Sequence, residues 1–424
     1  MVALLGQRAD LSGLRRILFG AFAVGLGLSI TLSESALVAL VLLWIWRFRD
    51  PAVRRASARP LLVPVLVWIG VNLLSALASA DPWASVLSCR TLLLTAALYV
   101  TADGLDGVGD ARRFLTVLAV ASAVAAAIGL LQFGLCPSSN VDTGTPAWLY
   151  HRCYRARGPF SIYMTLAGVL MLTLLATLPR LLPGARPRAW FVPLWLVMLA
   201  ALIATYTRGA WLGFAAGVLA LLPVTRRGRV ALVVGLAVLA LALLVGPPGL
   251  RHRFLSMGDP EETTVKERLY MWQSGAMMAR EHPWLGFGPG GVKREYSGFA
   301  LPEAIKKRTG HVHNTPLQIL VERGIVGLAA WLAIWLVFYV RAVGILRRVP
   351  PDAVAARALV MGSLAAVTGF LVGGLSEYNF GDSEVVMLAW TIMALPFAVA
   401  RDPAIAAAPD ALRTSRTDRS PSGP

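Results

Sequence analysis

The chain has 424 residues, of which 57% are hydrophobic and only 15% are charged. Together with a mean hydropathy of +0.65, this composition excludes a water-soluble globular protein and indicates a polytopic membrane protein built from helices. The formal net charge of +17 comes from basic residues that lie mostly between the apolar runs, and we expect no nucleic-acid partner.

Apolar runs, taken in chain order, predict twelve transmembrane helices, several of them short. The first run follows Arg15 and Arg16 as the core of a signal peptide would, but a second apolar run follows without a cleavage pattern, so we predict a retained helical pair. A re-entrant pair stays open as the alternative. The predicted spans are 17–31, 33–46, 61–79, 86–102, 114–135, 160–179, 190–206, 210–224, 229–247, 315–340, 357–376 and 384–400.

Arginines concentrate in the segments that join alternate spans, which predicts that both termini are cytoplasmic. The tail is rich in Ala, Pro, Ser and Arg and is therefore predicted to be disordered. The chain divides into a cytoplasmic N-terminus (1–16), nine spans with a periplasmic loop at 136–159 (17–247), a large periplasmic loop (248–314), three further spans (315–400) and a cytoplasmic tail (401–424).

Two of the three cysteines, Cys136 and Cys153, fall in the first outer loop. That side of the membrane is oxidising, so the sequence predicts that these two residues can form a disulfide. Cys89 leaves the count odd, and three buried free thiols remain the alternative.

The large loop is predicted to contain an amphipathic helix from Thr264 to Arg280, lying on the bilayer or capping the spans. Arg268 lies beside the apolar stripe and can point toward whatever the helix covers. An interfacial arginine that contacts lipid headgroups is the alternative, and on this pattern alone it is slightly favoured. The stripe consists of Val265, Leu269, Trp272, Ala276 and Ala279.

A turn-rich run, His282–Gly291, follows that helix, and its glycines permit unusual backbone angles and close approach to a ligand. Because the run follows a helix and not a strand, it is not a dinucleotide-binding fingerprint. Walker loops, GxSxG elbows and paired catalytic carboxylates are also absent from the sequence.

The loop ends in a predicted helix start, with Thr315 as N-cap, Pro316 at the first helical position and Gln318 completing a capping box. His313 and Asn314 then lie just outside a helix N-terminus. The partial positive charge at that end disfavours imidazolium and attracts anions. A neutral His313 is therefore a candidate general base beside a bound phosphate.

Other polar residues on the predicted outer face have two interpretations each. Arg208 lies where one span turns directly into the next, so it faces a polar cavity or simply ends a helix. Arg157 adds to a basic outer face that suits an anionic substrate. The acidic residues of the last outer loop, Glu377, Asp382 and Glu384, can orient an imidazole or bind sugar, although a solvated loop is the favoured interpretation.

Three ordered motifs carry a resemblance to a known family. His313-Asn314, nine residues, Gly324, two residues and Gly327 resembles the signature of the O-antigen ligase and polymerase superfamily. The Thr207–Gly213 run is similar to that family's Ser-Arg-Gly element, with Thr in place of Ser. The turn beginning at His282 resembles the family's proline and glycine segment, and the likeness extends over roughly residues 17–400.

The resemblance implies a GT-C type glycosyltransferase in a Gram-negative inner membrane, with its active site facing the periplasm and with no metal or other cofactor. Such ligases lie among membrane lipids. They transfer a glycan from undecaprenyl pyrophosphate to a sugar hydroxyl of lipid A-core, with inversion at the anomeric carbon. Motif matches make His313 the base or acceptor-activating group and place Arg208 and Arg268 on the pyrophosphate. Arg157, Asn314 and His311 are further candidate substrate-binding residues.

Two other functions stay open. A polymerase or a protein O-oligosaccharyltransferase of the same superfamily has the same general architecture. A lipid-linked glycan transporter would also have many spans, but it needs charge through the membrane, whereas the charged residues here crowd toward one predicted face. His311 and His313 show no metal-ligand spacing with acidic residues or cysteines, so no metal site is expected.

Overall fold

The computed structural model describes residues 2–134, 155–185, 187–225, 228–246 and 248–407, and side chains from residue 12 onward. Within these ranges the fold is all-helical, as the composition predicts. The first helices in chain order are α1 Val2–Leu28, α2 Ile30–Arg47, α3 Pro51–Ala56, α4 Leu62–Leu77, α5 Pro82–Ser88, α6 Ala96–Gly104, α7 Gly107–Gly134, α8 Tyr163–Thr177 and α9 Phe191–Ala204. The later ones are α10 Arg208–Ala220, α11 Arg229–Val245, α12 Pro248–Leu255, α13 Thr263–Glu281, α14 Gly291–Glu295, α15 Thr315–Arg348, α16 Val354–Gly373, α17 Ser383–Ala400 and α18 Pro403–Ala406.

Seven helices of the described ranges are long and apolar enough to cross a membrane, so the predicted count of twelve is not confirmed. The bent pair Arg229–Val245 and Pro248–Glu281 makes eight if it is one broken span. Every predicted span has a helix at its position, but α4 and α9 have only 16 and 14 residues. A helix needs about 20 residues, each 1.5 Å long, to cross a bilayer. The sequence therefore predicted where helices occur, but not how long they are.

Glycines bring α10 against α16. A Cβ on Gly213 would lie 2.4 Å from the carbonyl oxygen of Gly369, and one on Gly217 would lie 2.6 Å from that of Ala365. Helix backbones approach this closely only where side chains are small. The same contact places Gly209, at the start of α10, against Glu377 just beyond the end of α16.

The long helix α15 is interrupted at Gly324, whose φ of 63° and ψ of −169° are not helical. The turn that begins at His282 docks into this bend. The amides of Ile325 and Val326 donate to the carbonyls of Pro283 and Trp284, and the amide of Phe287 donates to the carbonyl of Val321. The turn therefore satisfies backbone groups that the interrupted helix leaves without a partner.

The segment between α13 and α15 has a small core of its own, formed by Met271, Met278, Val292, Tyr296, Val312 and Val321. The predicted helix is present as α13, but its buried face is not the predicted apolar stripe. Glu267, Met271, Gly275 and Met278 are buried, whereas Ala276 of the predicted stripe is exposed. Met271 and Met278 belong to the small core, so α13 packs on protein through sulfur-containing and small residues, and the contact of its apolar stripe with the bilayer stays a prediction.

The start of the predicted tail is ordered. Arg401 donates to the carbonyl of Ala102 and pairs with Asp103 at 3.1 Å, and α18 follows with Ile405 buried. Residues 408–424 lie outside the described residues, and so do Cys136 and Cys153, so their predicted disulfide stays a prediction. Cys89 is a buried free thiol.

Candidate active site

His313 lies at the entrance to α15, in a left-handed backbone conformation with φ of 51°. The N-cap of this helix is Asn314 and not Thr315, since the Asn314 side chain accepts a hydrogen bond from the amide of Leu317 at 2.9 Å. The sequence prediction placed the cap one residue too late, on Thr315, although Asn is the stronger N-cap residue of the two. Gln318 does not complete a capping box either, because its side-chain oxygen accepts from the amide of Val312.

Val312 anchors the segment that carries both histidines. Its side chain is buried in the small core, its amide donates to Gln318 at 2.9 Å, and its carbonyl accepts from the indole of Trp272 at 3.1 Å. The rings of His311 and His313 meet edge to face with centroids 4.2 Å apart.

The carboxylate of Glu377 bridges the two predicted residues His313 and Arg268. One oxygen lies 3.1 Å from Nδ1 of His313, and the other accepts a hydrogen bond from the Arg268 guanidinium. All three side chains are mostly shielded, with exposed fractions of 13%, 18% and 12% for His313, Arg268 and Glu377. The structure thus joins α13, the entrance of α15 and the loop after α16 at one point.

Burial acts on the ionisation of this group in two directions. Burial alone would raise the pKa of Glu377, but the hydrogen bond from His313 and the charge of Arg268 outweigh it and lower the pKa. Burial, aided by the neighbouring His313, lowers the pKa of His311 to about 4. Burial also raises the pKa of Tyr378 to about 12. At neutral pH an ionised Glu377 therefore lines the same cavity as neutral His311 and neutral Tyr378.

Glu377 was predicted only as one of three acidic residues in a loop that we expected to be solvated. That expectation was wrong for Glu377, because the loop closes over the start of α15. The Thr315 hydroxyl donates to the Glu377 carbonyl at 3.0 Å, and the Asn314 amide group donates to the carbonyl of Leu375 at 2.9 Å. Asp382 instead caps α17 and accepts from the hydroxyl of Thr165 at 2.6 Å.

Arg208 is buried, with 5% of its side chain exposed, and protein groups surround its guanidinium. It pairs with Glu262 at 2.9 Å, donates to the carbonyl of Arg253 at 3.1 Å and to the hydroxyl of Ser256, and lies 3.3 Å from the hydroxyl of Thr264. Glu262 is the N-cap of α13 and also pairs with Arg253 at 3.3 Å. Arg208 therefore holds the start of the helix that carries Arg268.

A cavity of about 200 Å³ lies beside Glu377 and His311, and its lining does not include His313, Arg268 or Arg208. Its lining comes from the starts of α8, α10 and α17 and from the loop after α16, and it includes Thr207, Gly209, His311, Glu377, Tyr378 and Asp382. The ring of His311 lies on its wall with Nδ1 buried and without a hydrogen-bond partner among the described residues. The cavity is thus polar on the histidine side and apolar toward the helices.

The structure brings some of the predicted residues together and separates others. His313, His311 and Arg268 meet around Glu377, while Arg208 lies next to them and contacts them through the helix start it holds. Asn314 uses both ends of its amide to fix the backbone at the entrance of α15. Arg157 donates to the carbonyl of Phe160 at 2.9 Å, shortly before Ile162, which lines the cavity.

A buried ionic group below the turn was missed by sequence reasoning. Glu322 pairs with Arg323 at 2.8 Å and accepts hydrogen bonds from the amide of Gly290 at 3.0 Å and the side chain of Gln318 at 2.9 Å. Arg323 in turn donates to Asn72 of α4. The only signal was an adjacent acid and base inside a predicted span, a place where charge is costly without a partner.

Within the described ranges, no three His, Cys, Asp or Glu side chains are grouped so that they could hold a metal ion. The expectation of metal-independent chemistry stays a prediction.

Comparison with protein families adds to this geometry. Residues 193–332 match the family model of O-antigen ligases. The match supports membership of the O-antigen ligase and polymerase superfamily, as the three motifs indicated. It includes α13, the turn, His313 and the Thr207–Gly213 run, and it ends before Glu377. This family is glycosyltransferase-like, which supports an enzyme in broad terms. No curated protein matches the chain.

Proposed function

We propose that the protein is an O-antigen ligase that transfers a glycan from undecaprenyl pyrophosphate to a sugar hydroxyl of lipid A-core. In this proposal it lies in a Gram-negative inner membrane with His313 facing the periplasm. One observation carries the proposal: Glu377 joins the histidine of the family signature to an arginine, at the wall of a cavity beside the matched segment. The family match supports the broader class of reaction.

Glu377 gives His313 the properties of a general base. A carboxylate beside Nδ1 favours the tautomer with the proton on Nδ1, which leaves the lone pair on Nε2. The acceptor hydroxyl attacks the anomeric carbon from the face opposite the pyrophosphate and gives its proton to Nε2. The bond from the anomeric carbon to the pyrophosphate oxygen breaks, which inverts the configuration. Glu377 stabilises the imidazolium that forms.

Arg268 is proposed to stabilise the leaving pyrophosphate. Its guanidinium has five donors, and the single contact with Glu377 leaves others for phosphate oxygens. Fixed donors in a shielded site stabilise the charge that develops on the leaving group, without the need for a metal ion. Arg208 is proposed to act on pyrophosphate as well, but its present partners would have to be exchanged for phosphate. Arg157 stays a proposed contact to phosphate or glycan.

A polymerase or a protein O-oligosaccharyltransferase of the same superfamily is the alternative. These enzymes differ from a ligase in the acceptor, which the residues around Glu377 do not distinguish. A transporter is disfavoured because it needs charged groups along a path through the membrane, and α16, which runs from one end of the bundle to the other, has none after Arg357.

Transfer in vitro tests the proposal. Purified protein is mixed with undecaprenyl pyrophosphate-linked glycan and rough lipopolysaccharide, with a chelator and without nucleotide. We expect ligated lipopolysaccharide on a gel, and the same reaction with His313→Ala is the control. Elongation of the lipid-linked glycan without ligation would assign a polymerase instead. Transfer by the His313→Ala variant at the normal rate would remove the proposed base.

A further inference from the structure

A second cavity, of about 630 Å³, lies at the other end of the helical bundle. Helix α16 connects the two sites, since Val354 at its start lines this cavity and Gly373 at its end lines the cavity beside Glu377. A helix of 20 residues is about 30 Å long, which is the thickness of the hydrocarbon core of a bilayer. The second cavity is therefore at the opposite membrane boundary from His313.

Four arginines line this cavity: Arg112 and Arg113 near the start of α7, Arg180 after α8, and Arg188 before α9. No carboxylate belongs to its described lining, although Arg113 is paired at 3.4 Å with Asp110 outside it. Like charges that share a concave site repel one another unless an anion neutralises them. The cavity thus has the charge of an anion-binding site.

Arg180 is held in place from several directions. Its guanidinium donates to the hydroxyl of Thr116 at 2.9 Å and to the carbonyl of Arg112 at 2.8 Å, and it lies over the ring of Phe191 at 5.7 Å. A guanidinium that is already oriented loses little conformational entropy when it binds a phosphate. Arg112 and Arg188 are exposed beside it, so the anion can reach all three.

The rim of the cavity is apolar. Val117, Trp190 and Val354 line it and expose 36%, 44% and 39% of their surfaces. A tryptophan with its ring at the edge of a helical bundle is typical of the level of lipid headgroups. The combination of arginines inside and apolar residues at the rim fits a molecule with an anionic head and acyl chains better than a free ion.

We propose that this cavity binds the phosphate headgroup of an anionic membrane lipid, with its acyl chains along Val117 and Trp190. The site is separate from the His313 site, and the proposal does not rest on the proposed function. Arginines at one membrane boundary also set the orientation of a protein, so the experiment must distinguish a built site from a general excess of charge.

Native mass spectrometry of the purified full chain, titrated with phosphatidylglycerol, measures the bound lipid. We compare the wild type with an Arg112→Gln/Arg188→Gln variant, which keeps the hydrogen bonds that Arg180 makes. Arg347→Gln/Arg348→Gln is the matched control, because it removes the same charge from exposed positions at the end of α15, outside this cavity. An Arg112→Lys/Arg188→Lys variant keeps the charge.

We expect the cavity variant to bind phosphatidylglycerol at least about fivefold more weakly, since one basic residue near a membrane contributes roughly that factor. The control variant should bind like the wild type, and the lysine variant should bind in between. Equal affinity of the wild type and the cavity variant would overturn the proposal, as would an equal loss in the control. Inorganic phosphate that binds as tightly as the lipid would overturn the assignment to a lipid.

Discussion

Glu377 holds His313 from a position 64 residues further along the chain, with one carboxylate oxygen 3.1 Å from Nδ1 of the imidazole. The two residues belong to segments that fasten to each other through backbone as well. The amide of Thr315 donates to the carbonyl of Gly374 at 2.7 Å. His313 is therefore oriented by a loop outside the segment that matches the family, and this relationship yields the first prediction.

Glu377→Gln should reduce the rate of transfer by about a hundredfold or more, because an amide can still contact Nδ1 but cannot stabilise the imidazolium. The rate of glycan transfer is measured with purified protein, and folding is checked by thermal unfolding. Glu303→Gln is the control, since it removes the same charge from an exposed position in the neighbouring loop. A Glu377→Gln variant as active as the control would contradict the proposed role.

His313→Ala and Arg268→Ala should each abolish transfer while membrane insertion is retained, because one removes the base and the other removes cationic donors for the leaving group. His282→Ala should be mild. His282 is exposed, and its ring meets that of Phe287 edge to face with centroids 4.4 Å apart. Transfer assays on membranes with equal amounts of each variant measure the effect. If a normally folded His282→Ala variant were inactive, the general base would have to be assigned to the turn at His282.

Arg208 and Glu262 offer a test of two roles for the same arginine. If Arg208 only holds the start of α13, Arg208→Ala and Glu262→Gln should both lower stability, by about 3 kcal/mol for a broken buried pair. If Arg208 also binds pyrophosphate, Arg208→Ala should reduce the rate of transfer more than its lower stability explains. Glu262→Gln should then keep the wild-type affinity for the lipid-linked donor. We expect the second result. Thermal unfolding and the KM for the lipid-linked donor separate the two effects.

His311 should make stability depend on pH. Burial, aided by His313, lowers its pKa to about 4, whereas an unfolded histidine titrates near pH 6.5. The unfolded chain therefore binds more protons between these values, so stability is lost as the pH falls from about 6.5 toward 4. Between pH 7 and pH 5 the loss from this group is up to about 2 kcal/mol.

The melting temperature of the wild type should accordingly fall more between pH 7 and pH 5 than that of His311→Gln. His313 and Arg268 lower the pKa of Glu377 more than burial raises it, so the pKa of this carboxyl is lowered. The stabilisation from an ionised Glu377 is thus lost only below about pH 4.5, outside this range. An equal fall in both proteins would show that another group titrates here.

Gly324→Ala should prevent stable folding. A Cβ at this position would lie 2.1 Å from the carbonyl oxygen of Trp284, and the φ of 63° with ψ of −169° adds strain of about 1–3 kcal/mol for a residue with a side chain. Gly344→Ala in the same helix is the control, since no atom lies within 4 Å of its added Cβ. That substitution should be neutral or stabilising by about 0.5–1 kcal/mol. Yield and melting temperature after purification distinguish the two.

Much of the helical framework followed from the sequence by itself, because apolar runs and caps are local. A helix was found at each predicted span, and His313 was placed at a helix entrance from Pro316 and its neighbours. The resemblance also selected His313 and Arg268, which the structure brings together. The buried face of α13 did not follow from the sequence, because a hydrophobic stripe does not say whether protein or lipid will cover it.

Only the tertiary structure decided which charges meet. Glu377 looked like part of a solvated loop, and nothing in its own neighbourhood distinguishes it from Asp382. Its partnership with His313 depends on the glycine contact between α10 and α16 and on the loop that closes over Thr315. Likewise, only the packing of the helices shows that Arg208 pairs with Glu262. Periodicity and capping act over a few residues, whereas an ion pair depends on how distant helices pack, which is why the sequence determined the helices and the packing determined the site.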